Sequence, residues 1–521
     1  MAAILSSTTT LTDHLTSVIR SAVSGRYVRA CLLTTRDRDH AVTIVRSAVQ
    51  SCGQPLYHFS VAGCRQFDFA HQRWNDQREE RLDGHAILQE VRALNSGGVV
   101  IIESCAALMR EEGGDTAMRI RLAHMLSADT HGAPLVLIFL DAPEASRYIP
   151  STVAEQFVRL DVPYPRSEEL SLLARHEMAV VAHRDRLSLS PQAIQDASAR
   201  LAPGLAGLTR SAARDALRDA LAPDPADVEG AADRLDQRKT EHLGRELAMN
   251  ILDCEGADLP IGLDYLIEYL TVSKDKMRLT GSRRARGVLL IGPPGTGKTM
   301  LARAIGRIAE LPVVEFRISS LMNSLLGETE RRFAQAFSVL EAMSPSIVFI
   351  DEIDKAFGGQ GGEYDGGTMM RVTGSLLSWL SDNPYPNFIV GTANSLRAMG
   401  EIGLTMTRSE RFDAAFFVDV PCQDARAAML ERWLSPHVPD ARGLAEELAR
   451  ETDKFSGADL HSIVKLASDR ADHEGVDLTK DHLRAQIQRK ANRAFALHRE
   501  FDGLRNWAKL FCDPAGPSDS H

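Results

Sequence analysis

No apolar run in this chain of 521 residues is longer than the six residues Leu135–Leu140, far short of the roughly 20 that a membrane-spanning helix needs. The opening residues, from Met1 to Thr8, are too polar for a signal peptide. Both absences predict a soluble, cytoplasmic protein. Cysteine is scarce: seven stand at 31, 52, 64, 105, 254, 422 and 512. The number is odd and no two share a metal-knuckle spacing, which argues against a disulfide framework or a zinc site and for reduced, buried thiols. Neither sign of charge dominates, with 60 Lys and Arg against 70 Asp and Glu and a net charge of −10. That balance excludes a bulk polyanion binder and leaves room only for a local basic stripe. No H-E-x-x-H sequence occurs, so a zinc protease of that kind is excluded.

What remains is ordinary for a globular protein: 44% hydrophobic and 25% charged residues. A disordered, collagen-like or coiled-coil chain is ruled out. The length suggests about three or four globular units.

The first 225 residues read as α/β. Arg29–Thr35, Gly98–Glu103 and Pro134–Leu140 are short apolar strands, separated by helical patterns such as Ala41–Gln50 and Ala117–Leu126. Alternation of this kind implies a parallel sheet with crossover helices. Ser167 to Leu221 is purely helical. A break rich in Pro and Asp, Pro223–Ala231, precedes a polar helix, Ala232–Asn250. A second α/β unit begins near Gly256, with strands at Gly287–Ile291, Pro312–Ile318, Ile347–Ile350, Asn387–Gly391 and Ala415–Val420. The chain then turns helical to about Phe495, and Asp513–His521 reads as a frayed tail. The two halves share one layout, a sheet followed by a helical appendix, as in two related units of which one has lost its chemistry.

The chemistry is concentrated in the second half. Gly292–Thr299 reads GPPGTGKT, follows the strand VLLI and opens the helix Met300–Glu310. This is a P-loop in its required context. Glycines let backbone N–H groups turn toward phosphates, and the helix N-terminus adds its positive dipole end. The nucleotide-binding set is Gly292, Pro293, Pro294, Gly295, Thr296, Gly297, Lys298, Thr299 and Met300. Lys298 is expected on the β and γ phosphates of ATP, and Thr299 on Mg2+.

Ser346–Asp354 (SIVFIDEID) is an apolar strand presenting Asp351 and Glu352 at its carboxyl end, where open parallel sheets bind ligands. Asp351 is placed to hold Mg2+ through water, and Glu352 to polarise the attacking water. Val390–Asn394 (VGTAN) is a further strand ending in a polar residue. Asn394 is expected to hydrogen-bond the γ-phosphate or the water. Arg408 and Arg411, in RSERFD, are badly placed for their own nucleotide. An arginine supplied in trans would stabilise charge on the transferring phosphoryl group, and that implies a ring.

This ordered set, with FSGADL at Phe455–Leu460, resembles the AAA+ ATPases, specifically the clade with the second region of homology. The match covers about 255–495. The chain looks most like the poorly characterised chloroplast and cyanobacterial AAA ATPases, through Asp354–Leu380 and through a P-loop-less N-terminal α/β half. The resemblance implies a P-loop NTPase AAA+ core with a helical lid, preceded by a degenerate AAA-like α/β domain with its own helical region. It divides the chain into 1–225 (degenerate domain without a nucleotide site), 226–254 (linker and connecting helix), 255–422 (ATPase core), 423–495 (lid) and 496–521 (tail). It also implies ATP hydrolysis in a homo-oligomeric, hexameric ring whose pore pulls on a polypeptide. The lid pair Gly457 and Ala458 packs at the nucleotide in the family, and Leu325 and Leu326 fall on the pore loop. Leu325 replaces an aromatic residue, Ser-Glu replaces Pro-Gly between the arginines, and no sensor-2 arginine is found.

Four other segments carry two readings each. Arg36–His40 stands where a first P-loop would be, without its Gly, Lys and Ser/Thr; that half is a partner-docking domain or a structural remnant. Phe67–Trp74 is a contact patch or a local core cluster. Arg278, Arg283, Arg284 and Arg286 form a nucleic-acid strip or a solvated turn. Gly358–Gly367, with six glycines in ten residues, is a second pore loop or a slack linker. The leading functional expectation is a remodeller of an unknown protein client. A nucleotide-dependent switch or scaffold comes second, and a nucleic-acid translocase or loader third, disfavoured by net acidity.

Overall fold

The apolar runs of the sequence become the parallel central strands of two mixed sheets. The computed structural model describes residues 8–60, 63–78, 83–94, 97–104, 116–127, 134–143, 145, 149, 153–187, 189–321, 328–357, 366–394, 405–406 and 411–517. The chain divides into two units, Met1–Lys239 and Thr240–His521.

In the first unit the order is α1 (Thr8–Gly25), β1 (Val28–Thr34), α2 (Arg38–Cys52), β2 (Leu56–Ser60), β3 (Gly63–Asp68), β4 (Arg73–Arg78), α3 (Gly84–Arg92), β5 (Gly98–Glu103), α4 (Thr116–Ser127), β6 (Leu135–Asp141), β7 (Phe157–Asp161), α5 (Ser167–Arg184), α6 (Pro191–Leu201) and α7 (Arg210–Leu221). The sheet runs β4-β3-β2-β5-β6-β1-β7. Strands β2, β5, β6, β1 and β7 pair in parallel, and β3 and β4 add an antiparallel edge. Strands β1, β5 and β6 are nearly continuous aliphatic runs because helices cover both faces. One face packs on Leu15, Ile19, Ile44 and Val45, the other on Ile87, Leu88, Met118 and Phe157. Helices α5 to α7 close around Leu170, Met178, Leu201 and Leu217.

The aromatic segment resolves as core. Phe67 on β3 is buried and meets Phe69 and Trp74 edge-on, each at a centroid distance of 5.0 Å. The Arg46 and Arg65 guanidinium groups lie over Phe67 and Trp74. The hairpin had escaped the sequence reading because its strands are too polar to stand out.

The unit division falls within α8 (Val228–Leu247). The second unit continues with β8 (Met249–Leu252), α9 (Asp264–Ser273), β9 (Gly287–Ile291), α10 (Lys298–Ala309), β10 (Val313–Phe316), α11 (Ile318–Leu321), α12 (Glu328–Ala342), β11 (Ser346–Ile350), α13 (Ile353–Phe357), α14 (Gly366–Asp382), β12 (Asn387–Ala393) and β13 (Ala414–Phe417). Four helices follow, α15 (Gln423–Leu434), α16 (Ala441–Glu451), α17 (Gly457–Glu474) and α18 (Lys480–Glu500), packed around Leu430, Leu448, Phe455, Ile463 and Leu483. The chain ends with α19 (Asp502–Phe511) and β14 (Asp513–Pro514). The sheet runs β14-β13-β9-β12-β11-β10-β8.

Numbered by appearance within each unit, the five parallel strands take the same spatial order, fifth-first-fourth-third-second: β7-β1-β6-β5-β2 in one and β13-β9-β12-β11-β10 in the other. Two expectations need correction. Residues 249–252, assigned to the connecting segment, pair antiparallel with β10. The first residues of the tail do not fray: Asp513 and Pro514 pair with Phe416 and Phe417, and Ala515 N–H donates to Phe417 O at 3.0 Å. Three arginines of the basic turn are bound to backbone carbonyls. Arg278 donates to Ala309 O and Glu310 O at the end of α10, Arg284 to Tyr385 O, and Arg286 to Ser381 O near the end of α14. Cations at helix C-termini complement the dipole there.

Candidate functional site

Strand β9 is buried along its length and delivers the chain to a loop, residues 292–297, before α10. Gly292 lies so close to β13's extension that a Cβ would sit 2.1 Å from Val418 O. Gly297 caps α10 at φ +91°, a conformation side chains disfavour. Thr296 Oγ1 donates to Pro293 O at 2.9 Å, which holds the loop as a cradle. Lys298 is buried and donates from Nζ to Gly292 O at 2.7 Å, Pro293 O at 2.8 Å and Asn394 Oδ1 at 3.2 Å. Burial pushes its ammonium down to about 8, against the opposing pull of Asp351, Asp354 and Glu352.

Strands β11 and β12 bring the other groups to the same edge. Thr299 Oγ1 donates to Asp351 Oδ2 at 3.2 Å. The Thr392 hydroxyl donates to Asp351 Oδ1 and accepts the Glu352 N–H at 2.9 Å. Glu352 sits at φ +50°, with its half-exposed carboxylate paired to Lys355. Asn394 N–H donates to Asp354 Oδ2 at 3.0 Å. Lys298, Thr299, Asp351, Glu352 and Asn394 therefore converge at the carboxyl ends of β9, β11 and β12. Met300 does not join them: its side chain is 74% exposed.

The helical region closes the loop from one side. Ser456 and Asp459 form a capping box at the start of α17, and Ala458 N–H donates to Gly295 O at 3.1 Å. Gly457 lines a cavity of about 290 Å³ with Thr296, Gly262, Met429, Arg505 and Cys512. Arg505 is buried and bidentate to Asp419, at 2.8 and 3.0 Å, which fastens α19 beside that cavity. Burial pushes the Cys512 thiol up to about 12. Arg411, half-buried, donates to Thr405 O. Arg408, Leu325, Leu326 and positions 358–365 lie outside the described residues.

Sequence reasoning missed Thr392, Asp354 and the cavity wall at 505–517. Thr392 was visible in VGTAN, two residues before Asn394, on the strand beside the one that leads into Asp351.

The equivalent junction of the first unit is built differently. Three residues, 35–37, link β1 to α2. Asp37 caps α2: Oδ1 accepts His40 N–H at 3.1 Å and the Ser211 hydroxyl at 2.7 Å, and Oδ2 accepts Ser211 N–H at 2.7 Å. A buried carboxylate thus occupies two helix N-termini at once, those of α2 and α7. At the end of β5, Glu103 lies 2.7 Å from His58 Nε2, and Ser104, at φ +54°, takes the place that Glu352 holds in the other sheet.

No helix among the described residues is long and apolar enough to cross a membrane. Two family models match the second unit: "ATPase family associated with various cellular activities (AAA)" over residues 288–420, and "AAA+ lid domain" over 444–485. The uncharacterized AAA domain-containing protein ycf46 of Pyropia yezoensis is 32% identical over 254 residues, 47% of this chain and 51% of that protein. The ycf46 protein of Trieres chinensis is 32% identical over 253 residues, 47% of this chain and 50% of its own. An ATP-dependent zinc metalloprotease FtsH of Hahella chejuensis is 33% identical over 215 residues, 41% of this chain and 34% of that protein. The chain spans about half the length of the ycf46 proteins it matches. Its second unit carries an AAA domain and an AAA+ lid domain over those residues, and the chain is similar to the ycf46 AAA proteins.

Proposed function

We propose that this protein hydrolyses ATP and acts as a ring-forming remodeller or regulator of a protein or protein complex. The observation that carries the reading is the convergence of Lys298, Thr299, Asp351, Glu352 and Asn394 at the carboxyl ends of adjacent central strands. Lys298 now spends its ammonium on loop carbonyls, which phosphate oxygens would replace with better acceptors. The base would occupy the cavity beside Thr296 and Gly457. Thr299 and Asp351 offer adjacent hard oxygens, a donor set that suits Mg2+ with its remaining ligands from water and phosphate. When bound there, that ion would neutralise charge on the phosphate oxygens. Glu352, once free of Lys355, would polarise the attacking water, and Asn394 would orient it or the γ-phosphate. Arg411 and Arg408 would serve a neighbouring subunit's site.

A capture experiment tests this reading. Glu352→Gln protein loaded with ATP in its own lysate should retain a client that Lys298→Ala does not. A Glu352→Gln protein that hydrolyses ATP at the unmodified rate would refute the ATPase reading. A switch or scaffold with little pulling is favoured by one feature, Leu325 in the aromatic position of the pore loop. Leu325→Gly should abolish client remodelling in the first reading and leave the second intact. Stimulation of the ATPase by DNA or RNA would revive the translocase reading.

A further inference from the structure

We propose that Thr392 is the positioning residue that sets both carboxylates, Asp351 and Glu352, for hydrolysis. The inference rests on the ATPase reading above. Gly391 of β12 pairs with Ile350 of β11, so Thr392 stands beside the first residues beyond the end of β11. Its side chain is fully buried. A threonine hydroxyl has one proton to give and lone pairs to receive. Here the proton goes to Asp351 Oδ1 and a lone pair takes the Glu352 N–H at 2.9 Å. The other Asp351 oxygen faces Thr299 Oγ1 at 3.2 Å. Thr392 therefore grips Asp351 from the side away from the phosphate loop and turns Oδ2 toward it.

The second contact acts on the backbone. Glu352 holds φ +50°, a region costly for a residue with a side chain. Its N–H is anchored by the same hydroxyl, so one oxygen fixes the metal-side carboxylate and the turn that aims the water-side carboxylate. The first unit supplies the contrast. Leu140, paired with Glu103, takes the corresponding place, and Ser104 N–H bonds to Leu140 O at 3.0 Å instead of to a side chain. The hydroxyl stands only in the unit that has two carboxylates to place.

Thr392→Val keeps the shape and the preference for a buried strand while deleting the hydroxyl. In the full chain, we expect kcat to fall about 10- to 100-fold, the range typical of lost outer-shell partners. The Mg2+ concentration for half-maximal rate should rise. Affinity for a fluorescent ATP analogue without Mg2+ should stay within about threefold, and Thr392→Ser should restore most of kcat. Thr392→Val at the unmodified rate, or Val and Ser equally impaired, would overturn the inference. Glu352→Gln run in parallel separates the two levels: an active Glu352→Gln removes the ATPase reading and this inference with it, whereas an inactive Glu352→Gln beside a fully active Thr392→Val removes only the role of Thr392.

Discussion

The two units share a strand order but not a solution at the first strand–helix junction. In the second, six residues loop out between β9 and α10, and a buried lysine is held by the loop's own carbonyls. In the first, three residues suffice, and the Asp37 side chain accepts from the N-terminal turns of α2 and α7 together. Helix N-termini attract anions. In the first unit a side chain of the chain itself meets that demand by hydrogen bonds. Each also ties its helical region to the same junction, through Ala458 N–H on Gly295 O in one and Ser211 on Asp37 in the other. A carboxylate in the first unit thus joins the two elements that a nucleotide would join in the second. We infer that the first unit is held in one arrangement regardless of nucleotide.

The sharpest way to break this contrast is to exchange chemistry between equivalent positions. Glu352→Gln should lower kcat by about 10²- to 10⁴-fold while ATP still binds, the range for loss of a general base. Ser104→Glu, which places a carboxylate at the matching site of the first unit, should add neither turnover nor a second bound nucleotide. Steady-state ATPase and equilibrium binding check both.

Asp37→Ala attacks the other side. It removes an N-cap and leaves the Ser211 N–H and hydroxyl without their acceptor. The expected loss is about 2–4 kcal/mol in the unfolding of the first unit, summing a cap and an unsatisfied buried donor. Denaturant unfolding should show it, with ATP affinity of the second unit unchanged. A stability loss that inorganic phosphate partly restores would show that the carboxylate stands in for an anion.

How much of this was legible in sequence depended on how local the physics is. GPPGTGKT and SIVFIDEID could be read because phosphate cradles and strand-end carboxylates need contiguous residues. Asp37 could not be given its role, because its partner Ser211 is 174 positions away. Strand β14 was taken for a frayed tail because two residues have no periodicity, and only β13, about a hundred positions earlier, makes them a strand. Strand β8 was absorbed into the preceding helical pattern for the same reason. Thr392 was passed over beside Asn394 because a threonine in a strand is ordinarily a β-former. The arginines of 278–286 were read for their charge, whereas three of them serve helix ends and backbone carbonyls.

A smaller effect follows from Lys298. Its pKa in the folded chain lies at about 8 against an ordinary 10.5, so between those values the unfolded chain binds more protons than the folded one. Stability without nucleotide should therefore rise with pH across that window, and Lys298→Met should be more stable than the parent below pH 8. Conversely, ATP affinity should decline above pH 8, by at most about tenfold per pH unit, with proton uptake on binding. Calorimetry in buffers of different ionisation enthalpy measures that uptake.

The smallest expected effect belongs to His40 on α2. Burial first, and then Arg210, hold its imidazole below the ordinary range. The first unit should lose stability as pH falls from 6.5 toward that lowered value, because the unfolded chain takes up the proton first. His40→Gln should flatten this slope, an effect thermal unfolding at several pH values can resolve.

We infer that one chain offers one nucleotide site, because Asp37 already occupies the other junction. The direct measurement is the stoichiometry of a non-hydrolysable ATP analogue on the full chain, before and after Lys298→Ala. The account predicts one nucleotide per chain, lost with Lys298→Ala. Two per chain, or one that survives Lys298→Ala, would contradict it.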